Sequence, residues 1–146
     1  VLSTEGFYGQ MKGLLTRRRY KYATIFVDQL SRFTYVQLQQ TLTSEEKIEA
    51  KEAFEHKVRK KGVRIEHYHA YNGRFADNVF RYHIKSSGQS LTFCGVNAHW
   101  QNGVAKKAIH DVKDSARTML LHDIDQWPGA LSVYLWPYAL RHASNV

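Results

Sequence analysis

The chain has 146 residues, of which 43% are hydrophobic, 23% charged and 13% aromatic; this fits one domain of ordinary size and excludes a disordered or low-complexity chain. A single cysteine, Cys94, excludes an internal disulfide and any multi-cysteine zinc centre. The net charge of +8 favours a polyanionic partner, nucleic acid above all.

The opening, Val1 to Lys12, contains two glycines, Gly6 and Gly9, with Gly13 directly after it, and reads as an irregular lead-in. The basic run Arg17-Arg18-Arg19-Tyr20-Lys21 then leads into Tyr22 to Asp28, whose β-branched and aromatic content predicts a strand. Ser31 and Arg32 turn the chain into a second strand, Phe33 to Gln39, where Val36 and Leu38 alternate with polar residues. The two strands form a hairpin.

Thr43 and Glu46 have capping-box spacing and start a helix. Ala50, Ala53, Phe54 and Val58 share one face of it. Lys57, Arg59, Lys60 and Lys61 suit its negative C-terminal end, and Gly62 stops it. A third strand runs from Val63 to about Tyr71, where Asn72-Gly73 turns out. A short helix follows from a cap at Asp77 through Val79, Phe80 and Ile84 to Gly88, then a brief strand from Leu91 to Cys94.

Gly95 to Gly103 reads as a loop. From Asn102 or Gly103 to about His122 a long amphipathic helix is predicted. Ala105, Ala108, Ile109, Val112, Ala116, Met119 and Leu120 line one face. Lys106, His110, Lys113 and Arg117 line another. The last segment, Pro128 to Ala143, is expected to be helical with a break near Pro137. Its apolar stretch is too short to span a bilayer and carries Pro128 and Pro137, so no membrane segment is expected. Nor is a secretory or transit segment visible at the N-terminus. The order β-β-α-β-α-β-α-α predicts a mixed α/β sheet covered by helices.

Two stretches carry the most information: His67-Tyr68-His69-Ala70-Tyr71-Asn72-Gly73-Arg74-Phe75, and Phe93-Cys94-Gly95-Val96-Asn97-Ala98-His99-Trp100-Gln101-Asn102-Gly103-Val104-Ala105-Lys106-Lys107. With Tyr22 to Arg32, Arg117-Thr118-Met119-Leu120 and Trp136-Pro137-Tyr138-Ala139, they resemble the integrase core of copia-type retrotransposons, within the retroviral integrase superfamily. The resemblance runs through nearly the whole chain in the right order. It implies an RNase H-like fold and insertion of element DNA into a target by phosphodiester strand transfer. It also implies three carboxylates holding two Mg²⁺ or Mn²⁺ ions, which activate the attacking oxygen and stabilise the leaving one.

Judged against that pattern, the catalytic acids are missing. Tyr71 stands where the family has the Asp of Asp-Asn-Gly, and Lys106 where it has the Glu after Gln-Asn-Gly-Val-Ala. The first Asp is expected upstream of Val1, with the first strand lacking from this chain and one sheet position left open. Asp28 matches an Asp of the family that is not a metal ligand. Tyr71 offers only a neutral phenol, a poor ligand for Mg²⁺. A protonated Lys106 about 4 Å from a divalent ion would be repelled by roughly 8 kcal/mol at an effective dielectric of 20. The expectation is a degenerate core, inactive in strand transfer, with no cofactor of its own. The alternative is a non-enzymatic nucleic-acid-binding module that kept the fold and the basic surface.

Gln101, Asn102, Lys106, Lys107, His110, Lys113 and Arg117 are the expected nucleic-acid contacts, since Lys and Arg there could neutralise phosphates. Arg17 to Arg19 are read as a solvated strand entrance, and Trp100, Trp127 and Trp136 as packing residues. His67 and His69, at strand period two, point to one face but lack the spacing of a zinc motif. The partners expected are DNA and further copies of the chain, not a membrane. The location expected is intracellular, nuclear for a functional integrase relative. The chain is read as a single core domain over 1–146 that is truncated at both ends.

Overall fold

Why a helix begins at Ser44 is visible in its cap. Thr43 is extended and its Oγ1 accepts from Glu46 N–H at 3.4 Å. Glu46 reaches back past the cap, its Oε2 accepting from Gln40 and Thr41 N–H at 3.1 and 3.0 Å. The computed structural model describes residues 2–12 as backbone, and residues 20–70, 77–93 and 103–145 in full. In chain order the elements are β1 (Leu2–Lys12), β2 (Tyr22–Asp28), β3 (Thr34–Gln39), α1 (Ser44–Arg59), β4 (Val63–Ala70), α2 (Asn78–Ser86), β5 (Ser90–Phe93), α3 (Gly103–Gln126), a 3₁₀ turn (Val133–Leu135) and α4 (Trp136–Asn145).

The sheet has the order β3-β2-β1-β4-β5. β1, β2 and β3 form an antiparallel meander, and β4 and β5 run parallel to β1. The segment expected to be irregular is therefore the middle strand, and the expectation that the first strand is lacking is corrected. Gly6 and Gly9 interrupt any alternation there, and β-propensity is low. What makes the segment a strand is pairing on both edges, with β2 from Lys12↔Tyr22 to Gly6↔Asp28 and with β4 from Leu2↔Val63 to Phe7↔His69.

The β1–β4 register slips once. Thr4 pairs with Ile65 and Glu5 with His67, so Glu66 is an extra residue on β4. Such a one-residue bulge exchanges the two faces of a strand. Ile65 before it, and Tyr68 and Ala70 after it, all enter the same core. His67 and His69 are left on the opposite face.

Helices cover both faces of the sheet. On one, α1 and α2 pack Ala50, Phe54, Val58, Phe80 and Ile84 against Phe26, Ile65, Tyr68 and Ala70. Phe26 stacks on Phe54 with ring centres 4.9 Å apart and meets Tyr68 edge-on at 6.4 Å. On the other, Ala105, Val112 and Ala116 of α3 and Leu140 of α4 cover Ala23, Ile25, Val27, Val36 and Leu38. β2 is thus buried on both sides, which is why Ala23 to Val27 is nearly all apolar.

The helix ends follow from local chemistry. Asp77 caps α2, its Oδ1 accepting from Phe80 N–H at 2.7 Å. Gly62 and Gly88 end α1 and α2 with φ of +77° and +70°, where a side chain would be strained. Pro137 does not break the last helix. It sits in the first turn of α4, where its missing N–H has no helical partner to lose. α3 runs four residues beyond its predicted end at His122. Among the described residues no helix is long and apolar enough to cross a membrane.

Candidate nucleic-acid interface and the metal-site position

α3 brings four of the expected contacts onto one exposed stripe. Its apolar residues, three and four apart, fix the rotation of the helix on the sheet. Lys106, His110, Lys113 and Arg117 are therefore left exposed on one flank. His110 Nδ1 lies 3.2 Å from Asp114 Oδ2, so one position of the stripe is shared with a carboxylate. Lys106, Lys113 and Arg117 take part in no ion pair among the described residues. Lys107 is separated from them. It lines a cleft with Arg32, Thr34 and Asp111 on the flank of α3 facing the β2–β3 turn. Gln101, Asn102 and Tyr71 lie outside the described residues, as do Cys94, His99, Trp100 and Arg17 to Arg19. Trp127 is exposed and Trp136 packs against the core beneath α3 and α4.

In the family that the sequence resembles, a pair of divalent ions takes oxygen donors just after β4, at the position of Tyr71, and in the first turn of α3, at that of Lys106. The described part of β4 ends at Ala70, and the first turn of α3 holds Val104, Ala105 and Lys106 with no acid. The nearest carboxylates on α3, Asp111 and Asp114, are one to two turns further on, and both stand beside His110. Among the described residues no group of three or more His, Cys, Asp or Glu is arranged to hold a metal ion. The described first turn of α3 offers such a pair of ions no carboxylate.

Asp28 has another task. Its Oδ2 accepts from Ser31 N–H at 2.8 Å and from Ser31 Oγ at 2.5 Å. Its backbone exchanges hydrogen bonds with Arg32 and Phe33 across the same turn. Asp28 thus ties off the β2–β3 turn, in which Arg32 adopts a positive φ of 59°. The sequence marks the turn at Ser31 and Arg32 but gives Arg32 no further role. The turn carries this cation into two clefts, one of which is also lined by Lys57 of α1 and by Lys61 just after it.

His67 and His69 do share a face, as period two predicts. His67 Nδ1 meets Ser90 Oγ at 2.5 Å and its Nε2 meets Thr92 Oγ1 at 2.9 Å, while His69 Nδ1 meets the same Thr92 oxygen at 2.8 Å. Both imidazoles belong to a cross-strand hydrogen-bond ladder.

Charged residues on the other side of the sheet went unnoticed in the sequence. Lys47 and Lys51 of α1 are buried. Lys47 pairs with the Asp77 cap, which also accepts from Ser44 Oγ at 3.0 Å, so the starts of α1 and α2 are tied together. Lys51 pairs with Glu55 at 2.9 Å. Their signal is position: both lie on the stripe of Ala50, Phe54 and Val58.

No protein-family description matches the sequence, and no curated protein does. Solved structures are similar in shape. The catalytic core domain of HTLV-2 integrase, in complex with magnesium and in a trimeric form, is 20% identical with a TM-score of 0.63, over 98% of this chain and 82% of that one. The catalytic core of BIV integrase is 18% identical with a TM-score of 0.65, over 97% and 80%. A simian T-cell lymphotropic virus intasome in complex with PP2A regulatory subunit B56 gamma gives 16% and 0.71, over 96% of this chain and 48% of that one. The fold of this chain, an α/β sheet flanked by helices on both faces, is the RNase H-like fold of retroviral integrase catalytic cores.

Proposed function

We propose that the chain is a copia-type integrase core that no longer transfers DNA strands. The observation that carries this is Lys106. It stands in the first turn of α3, exposed, in a turn without a carboxylate. The copia resemblance calls for a metal-binding Glu there, and for an Asp at Tyr71. Because Lys106 is exposed, its ammonium can turn into water. The missing ligand therefore matters more than the repulsion.

A second reading is supported by the charge of +8 and the exposed stripe of Lys106, Lys113 and Arg117: a non-catalytic module that holds DNA by its phosphates. Exposed large apolar side chains at Leu121, Trp127, Tyr134 and Tyr138 offer surface for a further copy of the chain. The test is an oligonucleotide nicking and strand-transfer assay with Mg²⁺ and Mn²⁺, with a working integrase core as positive control. The unaltered chain is expected to give no product, and metal-dependent product from it would overturn the proposal. Product from the Tyr71→Asp, Lys106→Glu double variant, made in a longer chain that supplies the upstream first Asp, would identify these two positions as the cause of silence.

A further inference from the structure

Two clefts meet at the β2–β3 turn. One, of about 520 Å³, lies between the start of α3 and the turn. The other, of about 610 Å³, continues from the turn towards the ends of α1 and α4. Arg32, Thr34, Asp111 and Val112 line both, so the two form one groove. Among the described residues its cations are Lys107, Arg32, Lys57 and Lys61, and its carboxylate is Asp111. None of the exposed stripe on α3 lines it.

The cations are set in place by local structure. Arg32 is fixed by the turn that Asp28 ties off, its N–H donating to Asp28 O at 2.8 Å. Lys61 Nζ lies 4.3 Å from the centre of the Phe33 ring, and Lys57 Nζ lies 5.9 Å from that of Tyr35. Cation–π attraction holds both ammonium groups beside the groove. Each ammonium stands over one face of its ring, and both rings are partly buried against the core, so neither is an open platform for stacking bases. Positive charge drawn from a turn and two helices, without a base-reading platform, suits a repeating anion and not a sequence.

We infer that the groove formed by Lys107, Arg32, Lys57 and Lys61 binds the phosphodiester backbone of a nucleic acid, independently of sequence. This goes beyond the functional reading above, which places DNA on the other flank of α3, and the two fail separately.

The test is fluorescence anisotropy with a duplex and a single strand of the same sequence, each titrated at several salt concentrations. One variant set removes the groove charges (Arg32→Asn, Lys57→Gln, Lys61→Gln, Lys107→Gln). Asn tolerates the positive φ at position 32. A second set removes the stripe (Lys106→Gln, Lys113→Gln, Arg117→Gln). All seven side chains are exposed, and thermal melts check that each set folds. Four phosphate contacts on a duplex predict a log–log salt slope near 3.6, about a 150-fold loss of affinity between 50 and 200 mM salt. The groove set is expected to lose this dependence, and the stripe set to keep it. Lys57→Arg, Lys61→Arg, Lys107→Arg is expected to bind as the unaltered chain does. The polymer whose affinity falls in the groove set identifies the source of the phosphates.

Unchanged binding by the groove set overturns the inference. So does an equal loss per charge in both sets, which would report net charge alone. Poly-aspartate binding that is as tight and as groove-dependent would assign the surface to acidic protein and also overturn it. None of these outcomes bears on whether the chain transfers strands.

Discussion

Replacing Glu55 with Gln should cost about 3 kcal/mol of stability. Lys51 is 1% exposed and Glu55 14%, and they meet at 2.9 Å. Glu55 Oε1 also accepts from Tyr68 OH at 2.6 Å and Gln89 Nε2 at 2.7 Å. Gln keeps a carbonyl for the last two donors but leaves the Lys51 ammonium buried without an anion. Removing one partner of a buried pair costs about 3–5 kcal/mol. The lower end applies, because two of three hydrogen bonds survive and Lys51 Nζ keeps its place 5.8 Å from the Tyr68 ring centre. For a chain of this length that is a fall of about 6–12 °C in Tm. Urea and thermal denaturation of Glu55→Gln, Lys51→Met and the double variant make a complete cycle. The double variant should recover more than half of the loss, since removing both charges leaves neither one stranded. A cost below about 1 kcal/mol for Glu55→Gln, or a double variant less stable than the single, would refute the argument.

The same network sets a pH dependence. Burial acts to raise the Glu55 pKa. Hydrogen bonds from Tyr68, Gln89 and Lys51, with the Lys51 charge, outweigh it and hold the carboxyl below its ordinary 4.5. A folded-state pKa below the unfolded one means stability that is fully present above the unfolded value and lost as pH falls through the folded one. The unaltered chain should therefore lose stability below about pH 4.5, and Glu55→Gln should lack that part of the loss.

Asp77→Asn keeps a capping oxygen for α2 but removes the carboxylate charge that pairs with Lys47. Because Asp77 is 29% exposed, solvent screening limits the cost to about 1 kcal/mol by urea denaturation, and Asp77→Ala adds about 1 more for the cap. Burial works against the charged form of Asp77, but hydrogen bonds from Lys47, Phe80 N–H and Ser44 and the Lys47 charge keep its pKa below 3.8. Its contribution should therefore disappear only as pH falls below that value. Gly62→Ala should cost about 1–2 kcal/mol, from the positive φ alone, since nothing lies within 4 Å of the added carbon; Gly62→Asn should cost clearly less in the same melts.

Elements whose ends carry their own chemistry could be read from residues. α1 announced itself through Thr43, Glu46 and Gly62, and α2 through Asp77 and Gly88. Ala105, Val112 and Ala116 set the rotation of α3, and so which of its cations are exposed. Features made by distant pairing could not be read. Residues 2–12 became a strand because two neighbours hydrogen-bond to them, not because of their own propensity. The Glu66 bulge exists only relative to β1, yet it decides which face His67 and His69 occupy. Nothing in the sequence singled out Lys47 and Lys51, whose burial depends on Asp77 and Glu55 standing beside them. Lys107 seemed to belong with Lys106, but helical rotation separates neighbours in sequence by about 100° and set them on different flanks.

The position of β1 has a consequence for the order of assembly. Leu2 pairs with Val63, a separation of 61 residues, whereas the meander of β1 to β3 closes through near neighbours. As the chain is synthesised, the meander is complete while one long edge of its first strand still waits for a partner. Pairing at such separation is slow because the intervening loop must be closed first. Over that interval the future centre of the sheet is an open edge, available to another nascent chain or to a chaperone. Expression yield should therefore respond more to the speed of translation between β3 and β4 than to the final stability of the fold.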